Sequence, residues 1–241
     1  AGVVQINLVV DVILASTLAE GSVSYLYFAD RVNQLPLGVV GVAVGVVLLP
    51  LLTRQLSSGD ELGAAVSQNR AIELALYLTL PAAAAFIAIA APIVSVLFER
   101  GAFDAQASAQ TAAALAAFAA GLPAYVLIKA LTPGFFARQD TATPVKIAVA
   151  AVVANIVLAV ALMQVLAHVG IALATACSAW LNAAILAGVL RRRGQFAIDS
   201  RLRRNAPRAL LAAGLMAGTL LLGAWGLADL LAGTTEVRIL A

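Results

Sequence analysis

Residues 25–52 read YLYFADRVNQLPLGVVGVAVGVVLLPLL, a short polar stretch that runs straight into an apolar one. From Leu35 the chain carries no charge until Arg54, and roughly 20 apolar residues are what a helix needs to cross the hydrocarbon core of a bilayer. A helix on the surface of a soluble protein keeps a charged or polar face for water, and this one has none. The stretch reads as a membrane span.

The same pattern recurs on both sides of it. The chain is 63% hydrophobic and 11% charged, with a mean hydropathy of +1.00, whereas soluble domains carry about 25% charged residues. Seven spans are predicted, over about 2–19, 35–56, 71–91, 107–136, 144–166, 169–190 and 209–232, with no soluble domain between them. The expected fold is therefore an all-α integral membrane protein of about seven transmembrane helices. Residues 1–190 form a six-helix lobe in this reading, 191–208 a basic loop, and 209–241 an extra helix that is cut short. The chain opens on Ala1-Gly2-Val3-Val4, inside an apolar run with neither Met nor a basic segment ahead of it. We read that opening as a mid-protein start rather than a signal peptide.

The loops carry an orientation. Arg54, Arg70, Arg138, Lys146 and the seven arginines from Arg191 to Arg208 all fall on one side of the predicted spans, eleven of the fifteen basic residues. Arg31 and Arg100 fall in the loops of the other side. Basic loops stay in the cytoplasm, so the eleven-charge side is the cytoplasmic one. That cluster also accounts for the pI near 9.4 without nucleic acid, since no stacking aromatics are interleaved with it.

The residue inventory excludes several chemistries. One cysteine, Cys177, and one histidine, His168, offer no disulfide and too few ligands for zinc or haem. Scattered carboxylates without a histidine partner argue against a membrane enzyme acting on prenyl phosphates. Pro81, Pro123 and Pro133 interrupt predicted spans, either as packing irregularities or as points where a helix bends during transport. Gly41 and Gly45 form a GxxxG pair, read as a close helix contact.

Four places carry candidate chemistry. Asp30 and Arg31 sit where the second span is expected to enter the membrane from outside. There the arginine fork suits a phosphate, with the adjacent carboxylate holding it, or it snorkels to the headgroups. Lys129 lies deep in the fourth span, as a snorkelling stem or a cavity-lining cation. Asp11 is a carboxylate inside an apolar span, which marks a functional site by default. Asn155 and Thr175 are polar positions on later spans and read as interhelical contacts.

The stretches YFADRVNQLPLGVVGVAVGVVLLPLL, LFERGAF and LTPGFFARQDTATPVKIA resemble, in order, the corresponding segments of the MurJ/MviN family of lipid II flippases. That family lies within the multidrug/oligosaccharidyl-lipid/polysaccharide exporter superfamily. The resemblance implies a fourteen-helix transporter, of which this chain is the C-terminal half. It implies movement of undecaprenyl-pyrophosphate-linked muropeptide between leaflets, with lipid II, membrane lipids and the N-terminal half of the same protein as partners and no covalent catalysis. Arg31 then corresponds to an essential arginine of a cationic cavity that holds the pyrophosphate, whose other essential arginines belong to the N-terminal half. Some members carry an acid where Gln34 stands. Asp11, Asn155 and Thr175 correspond to the sodium ligands of sodium-binding members, which have a second acid where this chain has Ala159. Na+ is thus the one candidate coupling ion and no other cofactor is implied. A cation-coupled drug or polysaccharide-unit exporter of the same superfamily is the alternative.

Overall fold

The computed structural model describes the backbone of residues 2–239 and the side-chain surroundings of residues 9–41 and 44–226. The described residues form α1 (Gly2–Ser16), α2 (Ser22–Ser57), α3 (Glu61–Ala88), α4 (Ala90–Phe98), α5 (Ala105–Phe136), α6 (Ala142–Arg192) and α7 (Ser200–Ile239). Among them α2, α3, α5, α6 and α7 are long and apolar enough to cross a membrane. The all-α membrane architecture is as expected, but the helices are drawn differently from the predicted spans.

α6 accounts for two of those spans. A straight helix of 51 residues would be roughly 76 Å long at 1.5 Å per residue. Yet Arg193, just past its end, donates to the Thr143 hydroxyl near its start at 3.1 Å. The helix therefore doubles back, and the reversal falls at Ala167, whose φ of 49° and ψ of −132° leave the helical region. Gly170 makes the turn possible, because a Cβ there would lie 2.5 Å from the Leu162 carbonyl.

α2 departs furthest from the prediction. It begins at Ser22 rather than Leu35 and runs through Pro36 and Pro50 without interruption. Asp30 and Arg31 therefore lie within the helix rather than ahead of it. They stand about 12 Å along a continuous helix, eight residues from its start. Pro81, Pro123 and Pro133 likewise lie inside unbroken helices. Just before Pro133, the buried Gln68 amide donates to the carbonyls of Ala130 and Leu131 and ties α3 to α5. The short α4 was not foreseen, and the arginines from Arg201 onward belong to α7, not to a loop.

α5 is the most enclosed helix, with Leu115, Leu122, Val126 and Phe135 fully buried. At Gly121 it approaches α6 so closely that a Cβ would sit 2.8 Å from the Ala176 backbone. The predicted contact at Gly41 and Gly45 is different: Gly41 makes room for the Lys129 stem, while Gly45 faces open space.

The basic end is tied together by ion pairs between its loops. Arg138 pairs with Glu61 at 2.9 Å, Arg193 with Asp140 at 2.6 Å and Arg70 with Asp199 at 2.5 Å. Glu73 is 4% exposed and accepts from Arg70, Arg201 and Asn205. That carboxylate fastens the start of α7 to α3.

Candidate functional site

α1, α2, α5 and α6 surround a cavity of about 720 Å³. α2 offers it one face: Leu26, Asp30, Asn33 and Leu37 recur every three or four residues, the spacing of a helical stripe. Phe118, Tyr125 and Lys129 face it from α5, one or two turns apart, and Ile171, Thr175 and Ser178 do so from α6. Most of the wall is apolar with a few polar groups in fixed places, which is how a ligand site is usually built.

The acidic side of the cavity is a hydrogen-bond cluster centred on Asp11. Asn155 Nδ2 donates to Asp11 Oδ1 at 3.1 Å and Thr175 Oγ1 donates to Asp11 Oδ2 at 3.2 Å. Thr175 is also within 3.1 Å of the Ile171 carbonyl, and Ser178 Oγ donates to Asn155 Oδ1 at 3.5 Å. Residues 144 and 164 positions apart in sequence thus meet on one carboxylate. Ala159, fully buried, brings no second acid.

On α2 the carboxylate and the arginine are linked through Gln34. Its Nε2 donates to Asp30, and its Oε1 accepts from Arg31 Nη1 at 3.4 Å. Asp30 therefore does not hold Arg31 directly. The Arg31 guanidinium rests over the Tyr27 ring, 4.8 Å from its centroid. Asp30, Gln34 and Tyr27 line the cavity, whereas Arg31 is exposed and is not among the lining residues. It stands at the cavity edge.

Lys129 does line the cavity, its stem packed over Gly41, and it makes no ion pair among the described residues. Three further groups in the lining escaped the sequence reading. The Oδ1 atoms of Asn33 and Asn182 and the hydroxyl of Tyr125 are buried without a hydrogen-bond partner, a state that calls for a ligand or water. Spacing was the available signal, since Asn33 lies one turn beyond Asp30 and Tyr125 one turn before Lys129.

Long apolar helices around a cavity that encloses an acid cluster, orphaned amides and a lysine define a lobe of a membrane transporter. The comparisons agree. Residues 1–234 match the family model described as lipid II flippase MurJ. A probable lipid II flippase MurJ of Rhizobium tropici is 50% identical over 91% of this chain and 41% of its own length. Another from Vibrio cholerae is 38% identical over 90% and 41%. Among solved structures, a lipid II flippase MurJ in an inward closed conformation superimposes with a TM-score of 0.76 at 25% identity, over 95% of this chain and 52% of that one. A eukaryotic MATE transporter shares the fold, with a TM-score of 0.70 at 19% identity, over 95% and 51%. The chain belongs to the MurJ family of lipid II flippases, multi-pass proteins of the bacterial inner membrane, and spans about two fifths of the length of the curated relatives it matches.

Proposed function

We propose that this chain forms the C-terminal part of a transporter that carries lipid II from the cytoplasmic to the periplasmic leaflet by alternating access, for peptidoglycan synthesis. The observation that carries this reading is the cavity itself, with Lys129 in its wall and Arg31 at its edge. A pyrophosphate leaving water needs charge-assisted donors, and among the described residues these two cations are the ones at the cavity. Two carboxylates, Asp11 and Asp30, stand against a single lining lysine, so the anionic cargo also depends on cations from the N-terminal half of the same protein. The step is one of binding and release across the bilayer, with no bond made or broken.

Asp11, Asn155 and Thr175 are suited to a monovalent coupling cation such as Na+. The fit is incomplete as the side chains stand, because the Asn155 amide presents its nitrogen to Asp11. Turning that amide over would set Oδ1 beside the Asp11 carboxylate and the Thr175 hydroxyl, oxygen donors of the type a hard cation prefers. The one formal negative charge suits a monovalent ion.

Complementation of a flippase-depleted strain by the full-length protein tests the cargo reading. Lys129→Ala and Arg31→Ala should each fail at normal expression, and Arg31→Lys should restore growth in part, since a point charge replaces a fork. Full growth with both alanine variants would exclude these cations from cargo binding.

A further inference from the structure

The carboxylates of the cavity are engaged from within the protein, Asp11 by Asn155 and Thr175 and Asp30 by Gln34. Its neutral side chains are the idle ones. Asn33 on α2, Tyr125 on α5 and Asn182 on α6 all line the cavity, yet Asn33 Oδ1, the Tyr125 hydroxyl and Asn182 Oδ1 are buried without a partner among the described residues. Asn33 as a whole is 2% exposed. A buried amide oxygen with no donor weakens a fold, and leucine would fill either asparagine's place without that penalty. Three such groups, on three helices around one space, make a wall suited to a polar guest.

Their chemistry and spacing choose the guest. An orphaned oxygen needs an N–H or O–H donor, and an ionised pyrophosphate brings acceptors only. Only the oxygens of the two asparagines are sealed in the wall, and the amide nitrogens beside them are not. A half-turn of either amide exchanges the two, so each can meet a hydroxyl or an amide group. The Tyr125 hydroxyl fits the notch at Gly121, where a Cβ would lie 2.9 Å from it and 2.8 Å from Ala176 Cα. Asn182 lies six residues beyond Ala176, about 9 Å along α6. The neutral groups thus recur over a length that a pyrophosphate does not span and a sugar chain or a peptide does.

We infer that Asn33, Tyr125 and Asn182 are specificity-determining residues of the cavity, which hydrogen-bond uncharged hydroxyl and amide groups of the cargo's muropeptide while the cations take its phosphates. The inference rests on the cargo reading above and adds what the cavity recognises beyond charge. A site built around such bonds rejects an analogue that lacks the matching group, because its own buried polar atoms then stay unpaired.

The test measures the affinity of purified full-length protein in detergent, by microscale thermophoresis, for lipid II, for its peptide-free counterpart and for undecaprenyl pyrophosphate. Asn33→Leu, Asn182→Leu and Tyr125→Phe should each weaken lipid II binding about fivefold, the loss of one neutral hydrogen bond. Undecaprenyl pyrophosphate binding should change by less than about twofold, since it offers these residues no donor. The thermal midpoint of the ligand-free protein should hold or rise in all three variants, because no internal bond is lost. A loss that persists with the peptide-free lipid assigns the bonds to the sugars, and one confined to complete lipid II assigns them to the peptide. Unchanged lipid II affinity in all three variants, an equal loss for undecaprenyl pyrophosphate, or a lowered ligand-free midpoint throughout would each overturn the inference. Failure of the unaltered protein to bind either lipid would remove the cargo reading, and this inference with it.

Discussion

Replacing Asp11 by asparagine and by alanine separates its structural part from its ionic one. Asp11 receives bonds from Asn155 at 3.1 Å and Thr175 at 3.2 Å. A hydrogen bond to a charged group contributes about 1.5–3 kcal/mol, and these lengths put both near the lower end. Thr175 keeps the Ile171 carbonyl, so its loss is the smaller of the two. Asp11→Ala should therefore cost about 2–3 kcal/mol. Asp11→Asn retains an oxygen and a donor in the same place and should cost less than about 1 kcal/mol. A bound cation adds a second, separable quantity: sodium at ten times its dissociation constant stabilises the folded state by about 1.4 kcal/mol. The assay is thermal unfolding of the full-length protein in detergent, with sodium exchanged for choline. Wild type should show the sodium increment, and both variants should lack it. If Asp11→Asn keeps the increment, Asp11 does not hold the ion. If it is as unstable as Asp11→Ala, the cluster is not held by these hydrogen bonds.

Gly121→Ala should destabilise by about 1–3 kcal/mol, because its Cβ meets the Ala176 backbone at 2.8 Å. Gly45→Ala, in open space within a helix, should be neutral or stabilising by up to about 1 kcal/mol, and parallel thermal midpoints compare the two. The Arg193 guanidinium, with the Thr143 hydroxyl and N–H, holds the Asp140 carboxyl well below the usual carboxylate range. Because the folded-state value is depressed, the stabilisation is complete above the unfolded carboxylate value near about 3.9 and is lost as pH falls toward the folded one. The stability difference between wild type and Asp140→Asn should therefore be constant at neutral pH and shrink below about pH 4. A single cysteine placed at Ala197, in a Cys177→Ala background, should react with membrane-impermeant maleimide only in inverted vesicles; labelling in intact cells would reverse the topology.

Apolar length was legible because the bilayer imposes it, so the positions of α3, α5, both limbs of α6 and α7 follow from hydropathy. Hydropathy misplaced the start of α2, since Tyr25–Gln34 is polar enough to resemble a loop. Its polarity is confined to one helical face, where Asp30, Asn33 and Gln34 meet the cavity. Asp11 could be nominated as an expensive group in an apolar run, whereas Asn155 and Thr175 joined it only through the family resemblance, and the structure brings both within 3.2 Å of its carboxylate. Glu73 could not be read that way. Its partners Arg201 and Asn205 lie 128 and 132 residues further along, and composition says nothing about which distant loop folds against α3. Arg31 shows the converse: a motif marks it, yet its ring contact with Tyr27 and its bond to Gln34 hold it at the edge.

If the cargo passes through the cavity of α1, α2, α5 and α6, obstructing that cavity must stop it. Gly38 lines that cavity with open space around it, and Leu211 is exposed on α7. Full-length protein carrying Gly38→Trp or Leu211→Trp would be reconstituted in liposomes with labelled lipid II, and the fraction moved between leaflets measured against time. Gly38→Trp should abolish or strongly slow movement while Leu211→Trp proceeds at the wild-type rate; wild-type movement with Gly38→Trp in a folded protein would contradict the account.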